Sequence, residues 1–332
     1  MWKFLIAINK KLIIAIPVLM VAGFAFGAAV DPSVAKKLKS LIMPMTFLMV
    51  YPMMVTLNIK HLQDGIKNIK LQALTQAINF AVIPFVAYGL GRIFFADQPY
   101  MALGLLLASL LPTSGMTISW TGFAKGNMGA AINMTVIGLT LGSLVTPFYV
   151  MALLGAKVDV NVVMVIKQIV LIVFVPMILG YITRQSLLKR YGMPEFKKRI
   201  APRFPAMSTV GVLGIVFVAM ALKARTILGN PAILGYIFIP LLIIYIFNFL
   251  LSTVLGKVFF NRGDAIALVY GTVMRNLSIA LAIAINAFGE AGTNAALVIA
   301  LSYIIQVQSA AWYVKFTDKI FGPPPQPTAA GS

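Results

Sequence analysis

Two interrupted apolar stretches, Leu110-Leu-Pro-Thr-Ser-Gly-Met-Thr-Ile-Ser-Trp120 and Tyr270-Gly-Thr-Val-Met-Arg-Asn-Leu-Ser278, decide how this chain folds. Each lies within a run long enough to span a bilayer, which takes about 20 residues. Pro112 removes a backbone donor from the first run, and Gly271 and Arg275 interrupt the second. Unwound backbone at bilayer depth is tolerated only against protein or a wet cavity, so the paired breaks predict one shared cavity. The alternative is two kinked helices whose Thr and Ser side chains cap their own carbonyls.

The rest of the chain has the composition of a membrane protein. Of its 332 residues, 60% are hydrophobic and 11% are charged, which is not the balance of a soluble domain. Long, continuous apolar runs favour helices over the short alternating strands of a barrel. The predicted fold class is therefore all-α, with ten transmembrane helices. They are expected near residues 11–30, 40–58, 71–95, 100–121, 128–154, 161–183, 205–222, 231–256, 264–287 and 293–314.

Charge and residue usage exclude several functional classes. The 27 basic and 8 acidic residues would suggest nucleic acid on a soluble chain, but the basic residues lie mostly between apolar spans, so membrane lipid is the expected partner. The chain has no Cys, and its one His, His61, is in a polar loop, which excludes thiolate and histidine metal sites. With no carboxylate pair or activated nucleophile at bilayer depth, the sequence predicts no enzyme and no cofactor. A channel would need polar residues along a continuous path, whereas here they cluster at the two breaks.

The basic residues also predict the orientation. With a cytoplasmic N-terminus, about 18 Lys and Arg residues fall on the inside and about 7 on the outside, and the segment 184–203 contributes most to this bias. We therefore expect a multi-pass protein of the cell (inner) membrane with both termini in the cytoplasm. The first segment also resembles a signal peptide, but its removal would leave an odd number of spans and place 184–203 on the wrong side.

An internal repeat is visible at an offset of about 165 residues. Tyr88-Gly-Leu-Gly-Arg-Ile-Phe-Phe95 recurs as Thr253-Val-Leu-Gly-Lys-Val-Phe-Phe260. Five spans in each half would make the second copy enter the membrane from the opposite side, as in many secondary transporters. Chance similarity between Gly- and Phe-rich segments is the alternative. The predicted organisation is one transmembrane unit over 1–321, with repeats of about 1–155 and 160–318, and a disordered tail over 322–332.

Arg275 is the most informative residue of the sequence. A charge near the bilayer centre costs from about 3 to well over roughly 10 kcal/mol, so it requires a partner, a wet site or a ligand. No Asp or Glu falls in the core of a predicted span. The unpaired Arg275 indicates an anionic substrate, or a fixed charge where relatives bind a cation. Capping of broken-helix carbonyls or snorkelling is the structural alternative.

Further polar residues within the predicted spans are individually more typical of contacts between helices than of ligands. Asn79 is the exception, because it lies four residues after Thr75 and five before Pro84. The others are Asn133, Thr135, Thr140, Asn248, Asn286, Gln306 and Gln308.

At the two breaks the sequence resembles the bile acid/sodium symporter family and the neighbouring arsenical-resistance permeases. The resemblance is carried by Pro112-Thr-Ser-Gly-Met-Thr-Ile-Ser-Trp-Thr-Gly-Phe-Ala-Lys-Gly-Asn127, Thr135, Thr146-Pro147, Asn79-Phe-Ala-Val-Ile-Pro84 and Met274-Arg-Asn-Leu-Ser-Ile-Ala-Leu-Ala282. It implies a panel of helices 1, 2, 6 and 7 and a core of helices 3–5 and 8–10, in which broken helices 4 and 9 cross. It also implies sodium sites beside the crossing, with matching ligand positions at Asn79, Thr117, Thr135, Thr272 and Met274.

Three positions depart from what the resemblance implies for sodium ligands. A ligand Asn is Ile118, an acidic ligand is Gly271, and a Gln is Arg275. Loss of a carboxylate and gain of a cation leave room for at most one Na+ or H+ as coupling ion. Thr113 stands where similar arsenite permeases have a Cys, so thiolate chemistry with As(III) is not possible here.

The sequence therefore predicts a secondary active transporter that moves a small organic anion by alternating access, as a monomer or weak homodimer. An arsenite or other metalloid permease working without Cys is the alternative. The expected substrate contacts are Arg275 as the electrostatic anchor, with Thr113, Ser114, Thr117 and Asn276 as polar partners. The ion-site positions are Asn79, Thr135, Thr272 and Met274.

Overall fold

The computed structural model describes residues 2–56, 68–158 and 161–324, and the regular elements in these ranges are all helical. Short 3-10 or π turns join some of the helices end to end, at 38–41, 78–82, 170–174 and 196–200. The helices are α1 (Trp2–Lys10), α2 (Leu12–Ala29), α3 (Pro32–Lys37), α4 (Ile42–Thr56), α5 (Ile69–Ala77), α6 (Ile83–Phe94), α7 (Pro99–Leu110), α8 (Gly115–Phe123), α9 (Met128–Leu154), α10 (Val162–Ile169), α11 (Val175–Glu195), α12 (Arg203–Gly229), α13 (Ala232–Phe259), α14 (Arg262–Val273), α15 (Leu277–Phe288) and α16 (Gly292–Phe321).

Among the described residues, six continuous helical segments are long and apolar enough to cross a membrane: 69–94, 128–154, 163–200, 203–229, 232–259 and 292–321. Four shorter apolar helices cover 14–29, 42–56, 99–110 and 277–288. The all-α prediction is confirmed.

Several predicted boundaries were wrong. The segment 184–203 is not a loop, because α11 and the turn after it continue to Ile200, with a kink at Gly192 where φ is +74°. The last helix extends to Phe321 rather than 314, because Lys315 and Lys319 lie within it instead of ending it. A short helix, α1, also precedes the first apolar segment. His61 and residues 325–332 of the predicted disordered tail lie outside the described residues.

The helices pack in two groups. In one, α12 packs along α2 and α4, and α11 packs on α4. In the other, α13 packs on α14, while α16 packs on α7 and α15, and α6 packs on α7. Helix α15 contacts α4 and α10, so it lies where the groups meet.

Three helix starts, those of α5, α9 and α14, converge on Asp264, which is only 6% exposed. Its carboxylate accepts hydrogen bonds from the amides of Asn68 at 2.7 Å, Asn127 at 2.7 Å and Asn261 at 3.1 Å. Each of these Asn residues uses its other atom, Oδ1, to cap the helix that it precedes. The positive ends of three helices thus face one buried carboxylate, which suits the helix dipole.

Candidate functional site

The two breaks predicted from the sequence meet in the structure. The segment between α7 and α8 lies antiparallel to the segment between α14 and α15, with Pro112 opposite Arg275. The Thr113 N–H donates to Met274 O and the Asn276 N–H donates to Leu111 O, both at 2.7 Å. We call these two segments, residues 111–114 and 274–276, the crossing. Helix interruptions therefore satisfy each other's backbone groups, which is required at bilayer depth.

The second break lies within the predicted stretch 270–278, at Arg275 rather than at Gly271. Gly271 and Thr272 are still helical in α14, and the chain leaves the helix at Met274, which is extended at φ −73° and ψ 120°. In the first break, Thr113 has a φ of +63°. Such a backbone is unusual for a β-branched residue and indicates that the crossing holds a strained turn.

Both helices that leave the crossing start with a side-chain cap. The Ser114 hydroxyl accepts from the Met116 N–H at 3.2 Å, and the Thr117 hydroxyl accepts from the Ser114 N–H at 3.1 Å. The Asn276 Oδ1 accepts from the Ile279 N–H at 3.2 Å. Its Nδ2 is buried without a hydrogen-bond partner among the described residues. Two positively polarised helix ends and one unused donor therefore face the crossing.

Arg275 is 3% exposed and points away from those helix starts, toward a helix end. Its Nη1 donates to Ser109 O at 3.0 Å, one residue before the end of α7. Its Nη2 is buried, and no described residue accepts a hydrogen bond from it. The carboxylates within the described ranges form no ion pair with it. Arg275 thus caps a broken helix and keeps one donor unused.

The pocket beside Arg275 is narrow, with room for about one water molecule. Its walls come only from α6, α7, α13, α14, the crossing and α16, all within the second packing group. The polar residues on those walls are Ser109, Tyr245, Asn248, Arg275 and Ser302. In this conformation the guanidinium therefore faces the interior of one helix group and not the boundary between the two.

Three amide side chains complete the hydrogen bonding of the second break. The Asn79 Nδ2 donates to Gly271 O at 3.0 Å, and the Asn248 Nδ2 donates to Thr272 O at 2.8 Å. Gln306 accepts from the Arg275 N–H at 2.8 Å and donates to Arg275 O at 3.2 Å. The Oδ1 atoms of Asn79 and Asn248 stay buried without a donor among the described residues. Asn79, singled out from the sequence, thus contacts residues at or just before this break, as do Asn248 and Gln306, which the sequence assigned only to contacts between helices.

The remaining predicted ion-site positions lie close to the break but use their polar atoms on the backbone. The Thr135 hydroxyl donates to Ala131 O at 2.7 Å, and the Thr272 hydroxyl donates to Val269 O at 3.1 Å. Met274 contributes its carbonyl to the crossing. Thr113 Oγ1 donates to Pro112 O at 2.6 Å, with Thr135 O as a second, more distant acceptor at 3.3 Å. The structure thus joins Thr113, Met274 and Thr135 directly.

The space that a side chain at position 271 would need is occupied. A Cβ added to Gly271 would lie 2.5 Å from Met134 Sδ and 3.4 Å from Thr75 Cγ2. An acidic side chain at this position would require Met134 to move. The resemblance implies a carboxylate at position 271. In this chain the carboxylate is absent, and Met134 packs into the space that it would need.

A repeat signal for Asn248 is weak, because the offset of 165 residues pairs Asn79 with Ile244, about one helical turn before Asn248. Gln306 carries no such signal, since it lies 31 residues after Arg275 on a different helix.

Comparisons with known proteins show the family of the chain. The model of the sodium bile acid symporter family matches residues 43–230, more than half of the chain. The arsenical-resistance protein Acr3 of Alkaliphilus metalliredigens is 24% identical, over 82% of this chain and 80% of its own length. An uncharacterized transporter of Synechocystis is 25% identical over 94% and 88% of the two chains, and the sodium/bile acid cotransporter 7 of Danio rerio is 24% identical over 68% of each. This chain, a multi-pass membrane protein, therefore belongs to the sodium bile acid symporter family.

Proposed function

We propose that this protein is a secondary active transporter that moves a small organic anion across the cell (inner) membrane by alternating access. Its ten spans form two inverted repeats, about 1–155 and 160–318, with both termini in the cytoplasm. The broken helices support the repeat, because α7 and α14 have 12 residues each and are followed by breaks at corresponding places. The two packing groups correspond to a panel that stays in place and a core that moves.

The proposal that the substrate is an anion rests on one observation. At the crossing, Asn276 keeps a buried donor, Nδ2, that no described residue uses, and Arg275 adds a positive charge in the pocket behind it. Buried donors are almost always paired, so unused ones at a helix break are typical of a ligand site. The starts of α8 and α15 add the partial positive charge of two helix dipoles. The donor set favours a group such as a carboxylate.

Arg275 contributes its positive charge from the pocket behind the crossing, inside the core group. Ser114, Thr117 and Thr113 line the crossing from the first repeat, and Asn276 lines it from the second. No cofactor is part of this proposal, and the protein works as a monomer or weak homodimer.

Sodium coupling is absent or limited to one Na+ or H+. A bound sodium ion needs oxygen ligands with enough negative charge to replace its water. Gly271 and Ile118 supply no side-chain oxygen, and Met134 occupies the space beside Gly271. Among the described residues, this leaves backbone carbonyls, hydroxyl oxygens and the unpaired Oδ1 atoms of Asn79 and Asn248.

A thermal-shift screen of the purified protein tests the substrate class, since a ligand of the folded state raises its stability by mass action. Organic anions, inorganic oxyanions and arsenite are screened in sodium and in choline, with a set of organic cations as controls. We expect stabilisation by organic anions in choline as well as in sodium, followed by uptake of the same anion into proteoliposomes. Stabilisation by organic cations alone would refute an anionic substrate.

An arsenite or metalloid permease is the second candidate, favoured by the match to an arsenical-resistance protein over 80% of that protein's length. The chain has no Cys, so arsenite would have to bind through oxygen and nitrogen atoms. Stabilisation by arsenite and by none of the organic anions would support this candidate.

A further inference from the structure

We propose that the guanidinium of Arg275 is a tethered cation, which fills a monovalent-cation site inside the core helix group. The proposal deepens the role of Arg275 in the proposed function, but it concerns cation binding and can be tested without a substrate. It accounts for a buried positive charge that the described residues do not neutralise with any carboxylate.

The surroundings of the guanidinium have the polarity of a cation site. Helix α7 ends one residue after Ser109, whose carbonyl accepts the hydrogen bond from Nη1. Helix α14 ends at Val273, which lines the same pocket. The carboxyl end of each helix carries a partial negative charge. Carboxyl ends of half-helices and unwound carbonyls are the groups that bind coupling cations at the midplane of secondary transporters. Arg275 places a covalently attached positive charge between two of them.

The two ends of each broken helix therefore have different roles. The helix starts at Ser114 and Asn276 face the crossing with positive polarity. The carboxyl ends of α7, at Ser109, and of α14, at Val273, line the Arg275 pocket with negative polarity. With the negative ends neutralised by Arg275, the positive ends remain to attract an anion. A free cation in the Arg275 pocket would also neutralise the negative helix ends, but its occupancy would depend on the cation concentration.

The position of the pocket keeps the charge of Arg275 inside the core group and away from the boundary between the two groups. Its walls belong only to the core group, and its room is that of about one water molecule. A solute crossing at the boundary between the groups would not need to enter it.

Removal of the guanidinium would leave oxygen atoms suited to a small cation. Asn248 lines the pocket, and its Oδ1 is buried with no donor among the described residues. The Ser109 carbonyl would lose its donor as well. Together with the Ser302 and Tyr245 hydroxyls on the same walls, these atoms form a candidate set of ligands for Na+ or Li+ in a variant that lacks Arg275.

The test compares melting temperatures of purified wild-type protein, Arg275→Gln and Arg275→Lys in NaCl, LiCl, KCl and choline chloride at constant ionic strength. The wild-type protein is expected to melt at the same temperature in sodium and choline. Arg275→Gln is expected to melt at least about 2 °C higher in sodium than in choline. Arg275→Lys keeps the tethered charge and should stay insensitive to sodium.

Arg184→Gln is the matched control, because Arg184 is also buried and also donates from Nη1 to a backbone carbonyl, that of Thr56 at 3.1 Å. It lies in the other packing group and should lose stability equally in all salts. Sodium stabilisation of the wild-type protein as large as that of Arg275→Gln, or of Arg275→Lys beyond that of the wild type, would overturn the proposal. An Arg275→Gln protein that folds and melts at one temperature in all four salts would also overturn it, and would leave Arg275 as a helix cap.

Discussion

Arg275 and Asn276 are neighbours in sequence but point to different parts of the molecule. The Arg275 side chain lies in the pocket behind the crossing and donates to Ser109 O. Asn276 caps α15, and its Nδ2 has no partner among the described residues. The charge of one and the donor of the other can therefore be tested separately.

Asn276→Asp removes the Nδ2 donor and adds a negative charge while keeping an oxygen that can cap α15. We expect anion binding to weaken by about 10- to 100-fold, the effect of losing a charge-assisted hydrogen bond of about 1.5–3 kcal/mol. The measurement is ligand affinity by calorimetry, with the melting temperature as the check on folding.

Asn161→Asp is the control for Asn276→Asp, because Asn161 caps α10 through the same atom and is exposed. The Asn161→Asp variant should bind the anion with the same affinity as the wild-type protein. Equal affinity in both variants would show that Asn276 is only a helix cap.

The first break packs directly against glycines of α9. A Cβ at Gly142 would lie 2.9 Å from Pro112 Cδ and 3.0 Å from Leu110 O. Gly142→Ala should therefore displace the crossing, cost about 1–3 kcal/mol of folding stability and abolish most transport. Proteoliposome uptake and thermal melting measure the two effects.

Gly235→Ala is the control for Gly142→Ala, since nothing lies within 4 Å of its added Cβ in α13. It should be neutral or slightly stabilising, because Ala favours a helix by about 1 kcal/mol over Gly. A Gly142→Ala protein with wild-type uptake would contradict the close packing of α9 on the crossing.

Asp264 joins the starts of α5, α9 and α14 through Asn68, Asn127 and Asn261. Asp264→Ala leaves three amide donors without their acceptor, at about 1–3 kcal/mol for each that stays buried. We expect the melting temperature to fall by at least about 5 °C. Asp97→Ala, which removes an exposed carboxylate, should have no measurable effect. Equal melting of the two variants would refute the structural role of Asp264.

The elements were largely predictable from sequence, because a helix in a membrane must be apolar and its breaks need Pro, Gly or polar residues. This is why Pro112 and Arg275 were found at the two breaks. The hydrogen bonds that complete the breaks could not be predicted, since Gln306 reaches Arg275 from another helix. The direction of the Arg275 side chain, away from the crossing and toward Ser109, depends on packing that a one-dimensional pattern does not contain.

For the whole molecule, the proposed orientation places Ser186 on the cytoplasmic side and Asn230 on the outside. Both residues are exposed, and the chain has no Cys of its own. An impermeant thiol reagent should label Asn230→Cys in intact cells and Ser186→Cys only after permeabilisation. The reverse pattern would show that the topology is inverted.

The central claim is that a fixed charge at the crossing lets this family member bind an organic anion without sodium. The most direct measurement is the affinity of wild-type protein and Arg275→Gln for the anion that stabilises the wild type most, across a series of sodium concentrations. We predict that wild-type affinity is the same at every concentration, while Arg275→Gln binds about 10- to 100-fold more weakly in choline and recovers as sodium is added. Wild-type binding that requires sodium, or an Arg275→Gln protein that binds like the wild type in choline, would contradict this account.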